Sequence, residues 1–254
     1  MAVCGKRKTR QNARMFSPWL GDDMPRERFV REHFQRAPLA RASTAHGARR
    51  YLNWATVAAV LEAGADLLVV RNAKMLDARP SSVDEAMALF RDGWSLVLRH
   101  CEHSDAGLRE LAASVGAENE GDVTIHIFAT PAGFHSFGWH YDCEDVFIVQ
   151  ASGQKEYFLR ANTVNPQPIL GAMPRDMQYE RETSPAMASL LVAGDCLYIP
   201  RGWWHAARAL EASLSLSIGV LSPAARGGAE SRRPSPAEAE EGPRVFPTCR
   251  AGED

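Results

Sequence analysis

The second half of the sequence is a succession of short apolar segments separated by turn residues. From about residue 122 these segments predict eight β-strands with no helix between them, at 123–129, 137–142, 145–151, 154–160, 188–192, 196–199, 203–209 and 213–220. Many short strands in so short a span are typical of a double-sheet jelly roll. We therefore predict an α+β, mainly β fold, whose core at 122–221 is a double-stranded β-helix.

The first half of the sequence mixes helical and strand patterns. Helices are predicted at 26–37, at 53–63 after the N-cap Asn53, at 82–93 and near 105–115, and strands at 66–71 and 94–98. We assign residues 26–121 to an N-terminal α/β part of the same fold, with its helices packed on the jelly roll.

The two ends of the chain and one internal segment have different patterns. Residues 1–25 are predicted to be mostly flexible, with Phe16, Trp19 and Leu20 docking on the domain. The segment 162–185 contains four prolines and is predicted to be a long loop at the rim of the barrel. Residues 222–254 have few large apolar side chains, and we expect a disordered tail.

Composition narrows the classes of partner and compartment. The formal net charge of −2 gives no general electrostatic reason to bind nucleic acid or a membrane surface. No apolar stretch approaches the length of a membrane span, and the first residues lack an apolar signal core, so we expect a cytoplasmic protein. The five cysteines are scattered and form no Cys-x-x-Cys pair, which favours neither a disulfide framework nor a zinc site.

Three residues indicate a metal centre. His140 and Asp142 are two positions apart, so on an extended strand their side chains point to the same side while Tyr141 faces away. His205 follows a predicted strand and a Pro-Arg-Gly turn that can aim its side chain inward. Two imidazoles and one carboxylate form the facial triad of non-haem iron oxygenases, so these three residues would make a catalytic metal centre if they meet in space. The alternative is that the His-x-Asp pair is a chance occurrence.

Two other features of the sequence contain residue types found at metal or catalytic sites. The run His100-Cys101-Glu102-His103 contains metal-type ligands, but we interpret it as the polar end of a strand. Cys143 lies beside the proposed triad, and we interpret it as a bystander rather than a nucleophile.

Lys155 is singled out by a predicted hairpin. Ser152-Gly153 is a plausible two-residue turn that would pair Gln150 with Lys155 and place the lysine on the same face as the even-numbered positions of the preceding strand. A lysine pointing into a barrel is costly unless it meets an anion. The alternative interpretation is a cross-strand lysine on the surface.

Distance requires a corner between the triad and Lys155. A straight strand from His140 to Gln150 would be about 33 Å long at roughly 3.3 Å per residue, too far for one small ligand to span. We therefore predict that the chain turns sharply at Cys143-Glu144-Asp145, whose polar residues tolerate a break in the ladder.

Taken together, these motifs resemble a known family. The run from His140-Tyr-Asp142 through Asp145-Val-Phe-Ile-Val-Gln150 and Gly153-Gln-Lys155 to Gly194–His205 resembles the JmjC-type, cupin-like oxygenases, which use Fe(II) and 2-oxoglutarate. Within this group the residues most resemble the ribosomal-oxygenase branch. The similarity covers about 122–220, and the helix containing Phe29 and Phe34 adds a weak further likeness.

The resemblance implies specific roles. His140, Asp142 and His205 would bind iron, and O2 would be the oxidant. The family's step from the first histidine to a basic residue ends on Lys155, which would bind the far carboxylate of 2-oxoglutarate. A hydroxyl partner would be Ser217, with Thr130 as a second candidate, although serines on an outer face are an equal alternative for this stretch.

The resemblance also implies a peptide or protein substrate, with a small metabolite as the alternative. The family's helical dimerisation region is not found after the barrel, so a homodimer has no support from that region. The loop Phe134–Gly138 is bulkier than the family's glycine-rich approach, and His135 could reach the pocket. Trp139, Tyr141, Trp203 and Trp204 flank the ligands in sequence and are interpreted mainly as core residues.

Three classes of function remain open. The first is a 2-oxoglutarate-dependent hydroxylase. The second is a cupin metalloenzyme that does not use 2-oxoglutarate, such as an isomerase or a ring-cleaving dioxygenase. The third is a binding protein built on the same barrel, without catalysis.

Overall fold

The computed structural model describes residues 19–77, 80–119, 121–174 and 177–227. Within these ranges the helices are α1 (Arg26–Glu32), α2 (Trp54–Glu62), α3 (Val83–Arg91), α4 (Ala106–Asn119) and α5 (Pro223–Arg226). The strands are β1 (Leu39–Arg41), β2 (Asp66–Arg71), β3 (Lys74–Leu76), β4 (Ser95–Arg99), β5 (Asp122–Thr130), β6 (Asp145–Ser152), β7 (Lys155–Arg160), β8 (Ala186–Leu191), β9 (Cys196–Ile199), β10 (Trp204–Ala209) and β11 (Ser213–Leu221). Short 3-10 helices lie at His46–Arg50, Cys101–His103, Leu170–Ala172 and Tyr179–Arg181.

These strands form two antiparallel sheets. The larger sheet has the order β1-β9-β6-β11-β5-β4-β2-β3, and the smaller has the order β10-β7-β8. Apolar side chains of β6 and β9, among them Ile148 and Leu197, pack against Tyr157, Leu159 and Leu191 of the small sheet. The two sheets therefore face each other around a shared interior, which confirms the predicted jelly roll.

Helices cover the other face of the large sheet. Phe29 of α1, Val60 of α2 and Leu108 of α4 belong to one buried cluster with Phe147 of β6 and Leu216 of β11. Alternation along each strand explains this arrangement, because neighbouring side chains point to opposite faces. On β6 and β11 one set of positions faces the helices, and the other faces the interior between the sheets.

Local signals set several helix ends as predicted. Asn53 accepts hydrogen bonds from the backbone N–H groups of Ala55 and Thr56 at 2.9 and 3.1 Å, so it caps α2. The helix predicted at 26–37 ends earlier, at Glu32. Gln35 has a φ of 56° and donates its backbone N–H to the Tyr198 hydroxyl at 2.8 Å, so a tertiary contact replaces the last helical turn.

Two predictions about strands are wrong. The segment 137–142 forms no regular strand and has a single bridge between His140 and His205. β6 and β7 do not form a hairpin, because β6 lies in the large sheet and β7 in the small one. The turn at Ser152-Gly153 carries the chain from one sheet to the other.

The bend predicted at the corner is confirmed. The backbone bends at Cys143 and Glu144 before β6 begins at Asp145. Lys155 also faces the interior, since Tyr157 and Leu159, two and four positions further along β7, pack against Val146 and Ile148 of β6. The predicted face of Lys155 is therefore correct, although the pairing that suggested it is not.

The proposed division of the chain stays a prediction. Trp19, Leu20 and Met24 are buried in the main core, so this part of the first segment packs on the domain, while Phe16 lies outside the described residues. The described chain continues through α5, where Ala225 is fully buried. Residues 228–254, most of the predicted tail, are outside the described ranges.

Candidate active site

His140, Asp142 and His205 converge in the interior. Their ligand atoms all lie within 4.8 Å of one another, and theirs is the one such group of His, Cys, Asp or Glu side chains in the described part of the chain. His205 Nε2 is 3.5 Å from Asp142 Oδ2, and the two imidazole centroids are 4.2 Å apart. The structure thus brings together the three residues that the sequence predicted.

Main-chain contacts hold the two histidines side by side. His140 donates its backbone N–H to the carbonyl of His205 at 3.1 Å, and His205 donates to the carbonyl of His140 at 2.8 Å. Gly202 also donates its N–H to the carbonyl of Asp142 at 2.8 Å. The segment 140–142 is therefore tied to the turn and strand that carry His205, even without a regular ladder.

The imidazole rings are oriented for metal binding. His140 Nδ1 lies 2.8 Å from the carbonyl oxygen of Gly138, and His205 Nδ1 lies 3.0 Å from that of Trp203. A carbonyl oxygen can only accept, so each Nδ1 carries the hydrogen and each Nε2 keeps its lone pair. Metal-binding histidines show this arrangement, in which the second ring nitrogen donates to a fixed acceptor.

Electrostatics favour the neutral form of His205. Burial lowers the pKa of His205, and the neighbouring His140 lowers it further, although Asp142 raises it. A neutral imidazole is the form that binds a metal ion. With one carboxylate and two Nε2 lone pairs converging, the residues present fit a divalent iron ion with coordination positions left open.

Lys155 is buried at another part of the same interior. Its side chain is 4% exposed, and its ammonium group donates to Thr130 Oγ1 at 3.3 Å. Its Nζ also lies 5.0 Å from the centroid of the Phe128 ring. Desolvation lowers the pKa of Lys155 to about 7. Among the described residues no carboxylate forms an ion pair with Lys155.

One hydroxyl contacts this lysine, and two further buried hydroxyls lie beside it on the neighbouring strands. Thr130, the second candidate, is fully buried and contacts Lys155 directly. Ser213 lies opposite Thr130 across the β5–β11 ladder, and its fully buried hydroxyl has no hydrogen-bond partner. On β4, Leu96 pairs with Ala129 of β5, so the preceding residue, Ser95, lies opposite Thr130. The buried hydroxyl of Ser95 also has no hydrogen-bond partner. The three hydroxyls form a row across three strands.

Ser217, the first choice for the hydroxyl partner, lies further along β11. It is half-buried and opposite His126 and Ile148, and the structure gives it no hydrogen bond to Lys155. The alternation of serine and apolar residues on β11 correctly indicated a polar face. It could not indicate which serine lies level with Lys155, because that depends on the register with β5.

A group of ionisable side chains lies beyond the triad on the same face of the large sheet. Burial, together with the nearby negative charge of Asp142, raises the pKa of Glu144 to about 7. Glu144 accepts a hydrogen bond from Thr124 Oγ1 at 3.3 Å. Burial lowers the pKa of His126 to about 4. The sequence indicates Glu144 only as part of the corner and gives no signal for His126, because neither residue belongs to a ligand motif.

The run 100–103 follows the end of β4, and its last three residues form the 3-10 helix Cys101–His103. Cys101 is fully buried, and its thiol donates to the carbonyl of Leu98, so it is not available as a ligand. Glu102 accepts the backbone N–H of Ile125 at 2.8 Å and lies 3.6 Å from His100 and 3.7 Å from His103. These contacts anchor the start of α4 to β5.

Aromatic residues near the ligands are mostly structural. Tyr141 points away from the triad, as predicted, and packs edge-on against Trp204 with ring centroids 4.7 Å apart. Phe137 packs edge-on against His140 at 5.8 Å. The backbone of His135 bonds to Asn72 in the β2–β3 turn, so this loop is fixed to the neighbouring sheet edge.

The long loop 162–185 is anchored beside the triad. Glu182 is buried and accepts hydrogen bonds from Trp204 Nε1 at 3.1 Å and from the backbone N–H groups of Thr163, Thr183 and Ser184 at 2.7 to 2.9 Å. Desolvation alone would raise the pKa of Glu182, but these hydrogen bonds lower it to about 2. The loop is thus held against the back of the strand that carries His205.

Comparison with known sequences places this site in a known domain. Residues 103–227 match the sequence model of the JmjC domain. The matched segment contains the triad, Lys155, Thr130 and Ser213. Residues 103–227 are thus similar to the JmjC domain, and the relatives that match the chain include ribosomal oxygenases.

Two curated relatives illustrate the similarity. The bifunctional lysine-specific demethylase and histidyl-hydroxylase NO66 of Dictyostelium discoideum is 33% identical over 122 residues, covering 46% of this chain and 23% of that protein. Ribosomal oxygenase 1 of Gallus gallus is 26% identical over 227 residues, covering 84% of this chain and 37% of that protein. The chain therefore spans well under two thirds of the length of either relative.

A solved structure shares the fold. YcfD, a ribosomal oxygenase from Escherichia coli, in complex with cobalt and 2-oxoglutarate, superposes with a TM-score of 0.51 at 21% identity, covering 83% of this chain and 52% of that chain. The likeness confirms the fold class predicted from the strand pattern. Separately, none of the helices in the described ranges is both long and apolar enough to span a bilayer.

Proposed function

We propose that this chain is an Fe(II)- and 2-oxoglutarate-dependent oxygenase that hydroxylates a peptide or protein side chain. The observation that carries the proposal is the combination of two features in one interior. One is the convergent pair of Nε2 atoms with the Asp142 carboxylate, and the other is a buried lysine without a protein counter-ion. A cupin metal site alone would account for the first feature and leave the second unexplained.

Each group has a defined part in this proposal. His140, Asp142 and His205 would hold Fe(II), which with 2-oxoglutarate and O2 supplies the oxidation, yielding a hydroxylated product, succinate and CO2. Lys155 would bind the far carboxylate, and Thr130 would fix the lysine through their hydrogen bond. Ser95 and Ser213 would donate their unpaired hydroxyls to the same carboxylate. The apolar lining, including Tyr157 and Leu159, excludes water.

The choice of a protein side chain as substrate draws its support from the relatives. NO66 is named a histidyl-hydroxylase and the chicken relative a ribosomal oxygenase. The alternative substrate is a small metabolite. A panel of basic peptides and ribosomal-protein fragments, screened by mass spectrometry for a gain of one oxygen, would separate the two. Succinate release with metabolites but with no peptide would contradict the proposed substrate.

Anaerobic reconstitution tests the proposed chemistry. Wild-type protein mixed with Fe(II) and then 2-oxoglutarate should develop the metal-to-ligand charge-transfer band of the chelate. His140→Ala should give no band, and Lys155→Ala should bind Fe(II) but require far more 2-oxoglutarate. Absence of the band in the wild type would falsify the proposal. Equal turnover with and without 2-oxoglutarate would favour a different cupin metalloenzyme.

We also propose a cytoplasmic location. It is supported by the thiols of Cys101, Cys143 and Cys196, which form no disulfide in the described chain, as is usual in a reducing compartment. Cell fractionation would test it, and recovery from an oxidising compartment would contradict it.

A further inference from the structure

Asp145 connects the two loops that carry the triad. It is the first residue of β6, three positions after Asp142, and its side chain is 1% exposed. Its Oδ1 accepts the Tyr198 hydroxyl at 2.5 Å and the backbone N–H of Arg201 at 3.3 Å. Its Oδ2 accepts Gln35 Nε2 at 3.2 Å. The carboxylate thus contacts β9, α1's exit and the turn before β10.

The contact with Arg201 is the important one for the triad. Arg201 opens the turn that leads to His205, and the next residue, Gly202, donates its N–H to the carbonyl of Asp142. The loop with His140 and Asp142 and the turn before His205 are therefore joined twice. One link is main chain to main chain, and the other passes through the Asp145 side chain.

The surroundings of Asp145 are unusual for a carboxylate. Tyr198, its principal donor, packs edge-on against Phe29 with ring centroids 4.8 Å apart and lies 5.1 Å from Phe147. Desolvation raises the pKa of Asp145, although its hydrogen bonds lower it. Burying a carboxylate costs free energy unless its hydrogen bonds and a nearby positive charge, here that of Arg201, offset that cost. An apolar side chain could fill the same space without the cost of burying a charge. We infer that this position requires a hydrogen-bond acceptor.

We propose that Asp145 is a positioning residue for the metal centre: it fixes the spacing of the two ligand-bearing loops and so sets metal affinity and coordination geometry. The inference rests on the proposed function only in requiring that the triad binds a divalent metal. Asp145 itself does not contact the ligand atoms. It acts by fixing the backbone positions of the segments 142–145 and 200–205, which carry the ligands.

The test measures metal binding without turnover. Cobalt(II) chloride is titrated into the full chain, and both the dissociation constant and the visible absorption of the bound cobalt are recorded, since that absorption reports coordination geometry. Asp145→Asn keeps the volume of the side chain but replaces one carboxylate oxygen by an amide group that donates. We expect cobalt affinity to fall about 10- to 100-fold, as for other residues that orient metal ligands, with a changed spectrum.

Asp195→Asn is a matched control. Asp195 is also a buried aspartate, 6% exposed, and its carboxylate accepts the backbone N–H groups of Ser43 at 2.8 Å and Val192 at 3.0 Å. It lies before β9 and contacts neither ligand-bearing loop through its side chain. We expect this variant to lower the unfolding temperature while leaving the cobalt spectrum unchanged.

Tyr198→Phe provides a second variant in case Asp145→Asn does not fold. It keeps the carboxylate and removes its shortest hydrogen bond, so a smaller loss of cobalt affinity in the same direction is expected. Wild-type affinity and spectrum in Asp145→Asn would overturn the inference while leaving the proposed function standing. Equal losses in Asp145→Asn and Asp195→Asn would also overturn it. A wild type that binds no cobalt would overturn the metal site itself.

Discussion

The charge state of Lys155 couples ligand binding to pH. Desolvation lowers its pKa to about 7, so near neutral pH the unliganded protein contains both the ammonium and the amine form. A bound carboxylate would stabilise the ammonium form. Binding of a dicarboxylate is therefore expected to take up a proton as the pH rises above 7.

The first prediction follows for 2-oxoglutarate affinity. With Mn(II) in place of iron, the dissociation constant should increase by up to about tenfold per pH unit above pH 7, until the pKa of the complex is reached. Calorimetry in buffers with different ionisation enthalpies should show the uptake of up to one proton near pH 8. Heats that do not depend on the buffer would contradict this coupling.

A second prediction concerns stability. Lys155 has a lower pKa in the folded than in the unfolded protein, whose value is near 10.5, so folding releases a proton between pH 7 and 10.5 and stability rises with pH in that window. Lys155→Met removes the buried charge. Its melting temperature should exceed that of the wild type at pH 7 and below, and the difference should shrink towards pH 10. A variant that melts lower at pH 6 would contradict this expectation.

At the scale of single residues, the sequence indicates which residues are candidates for the site better than it indicates which residues contact one another. His140, Asp142, His205 and Lys155 could be recognised because their types and spacing carry chemistry. The role of Ser217 stays a prediction, and the sequence could not show that Ser213 rather than Ser217 lies opposite Thr130, because nothing local fixes how β11 aligns with β5. Nothing in the sequence points to Ser95. It lies outside the recognised motifs, on β4, which is separated from β11 by β5 in the large sheet.

The crossing between β6 and β7 shows what turn chemistry can and cannot predict. Ser152-Gly153 correctly indicated a bend, and Gly153 has a φ of 69°. A Cβ at this glycine would lie 2.3 Å from the carbonyl oxygen of Ala212, which is too close. The turn residues specify a tight bend, but the partner of each strand is chosen by distant residues, among them those of β11 and β10.

The third prediction tests this turn. Gly153→Ala combines a left-handed backbone, which costs about 1–2 kcal/mol for a residue with a Cβ, with the clash against Ala212. We expect the free energy of unfolding in urea to fall by roughly 2 kcal/mol or more. Gly171→Ala is the control, since its added Cβ meets nothing within 4 Å. Equal stability of the two variants would show that the crossing tolerates a side chain.

The segment 137–142 shows a different limit. Its aromatic and apolar residues have strand character, yet in the structure they form ring contacts, one local between Phe137 and His140 and one distant in sequence between Tyr141 and Trp204. Alternation still places the His140 and Asp142 side chains on one side. A regular ladder is therefore not required for the predicted convergence, and the single bridge to His205 suffices.

Across the whole molecule, a bound metal would connect parts that belong to different sheets. His205 lies on β10 of the small sheet, while Asp142 leads through the bend into β6 of the large sheet. Their other contacts across the interior are mainly apolar. A metal ion bound by both would therefore oppose separation of the sheets.

The fourth prediction is that metal stabilises the fold. A metal concentration 100 times the dissociation constant should raise the free energy of unfolding by about 2.7 kcal/mol, if the unfolded chain does not bind the ion. Differential scanning fluorimetry with cobalt(II) should show a higher melting temperature that EDTA reverses. His205→Ala should show no such increase, and an increase equal to that of the wild type would place the metal elsewhere.

The strand pattern predicted the architecture at this scale because alternation reports which faces are buried. It could not give the order β1-β9-β6-β11-β5-β4-β2-β3, in which sequence neighbours are often far apart in the sheet. The strand Leu39–Arg41 illustrates the difficulty. It is only three residues long and is defined by pairing with β9, about 155 residues later, rather than by its own pattern.

The carbonyls of Gly138 and Trp203 that orient the two imidazoles belong to the main chain. A point mutation exchanges side chains and cannot delete a carbonyl. Most single substitutions should therefore leave the tautomers of His140 and His205 unchanged. This includes substitutions at positions 138 and 203 that do not alter the backbone conformation. Loss-of-function variants of this centre should accordingly concentrate in the three ligands and in residues that bend the two loops, which a saturation mutagenesis library would reveal.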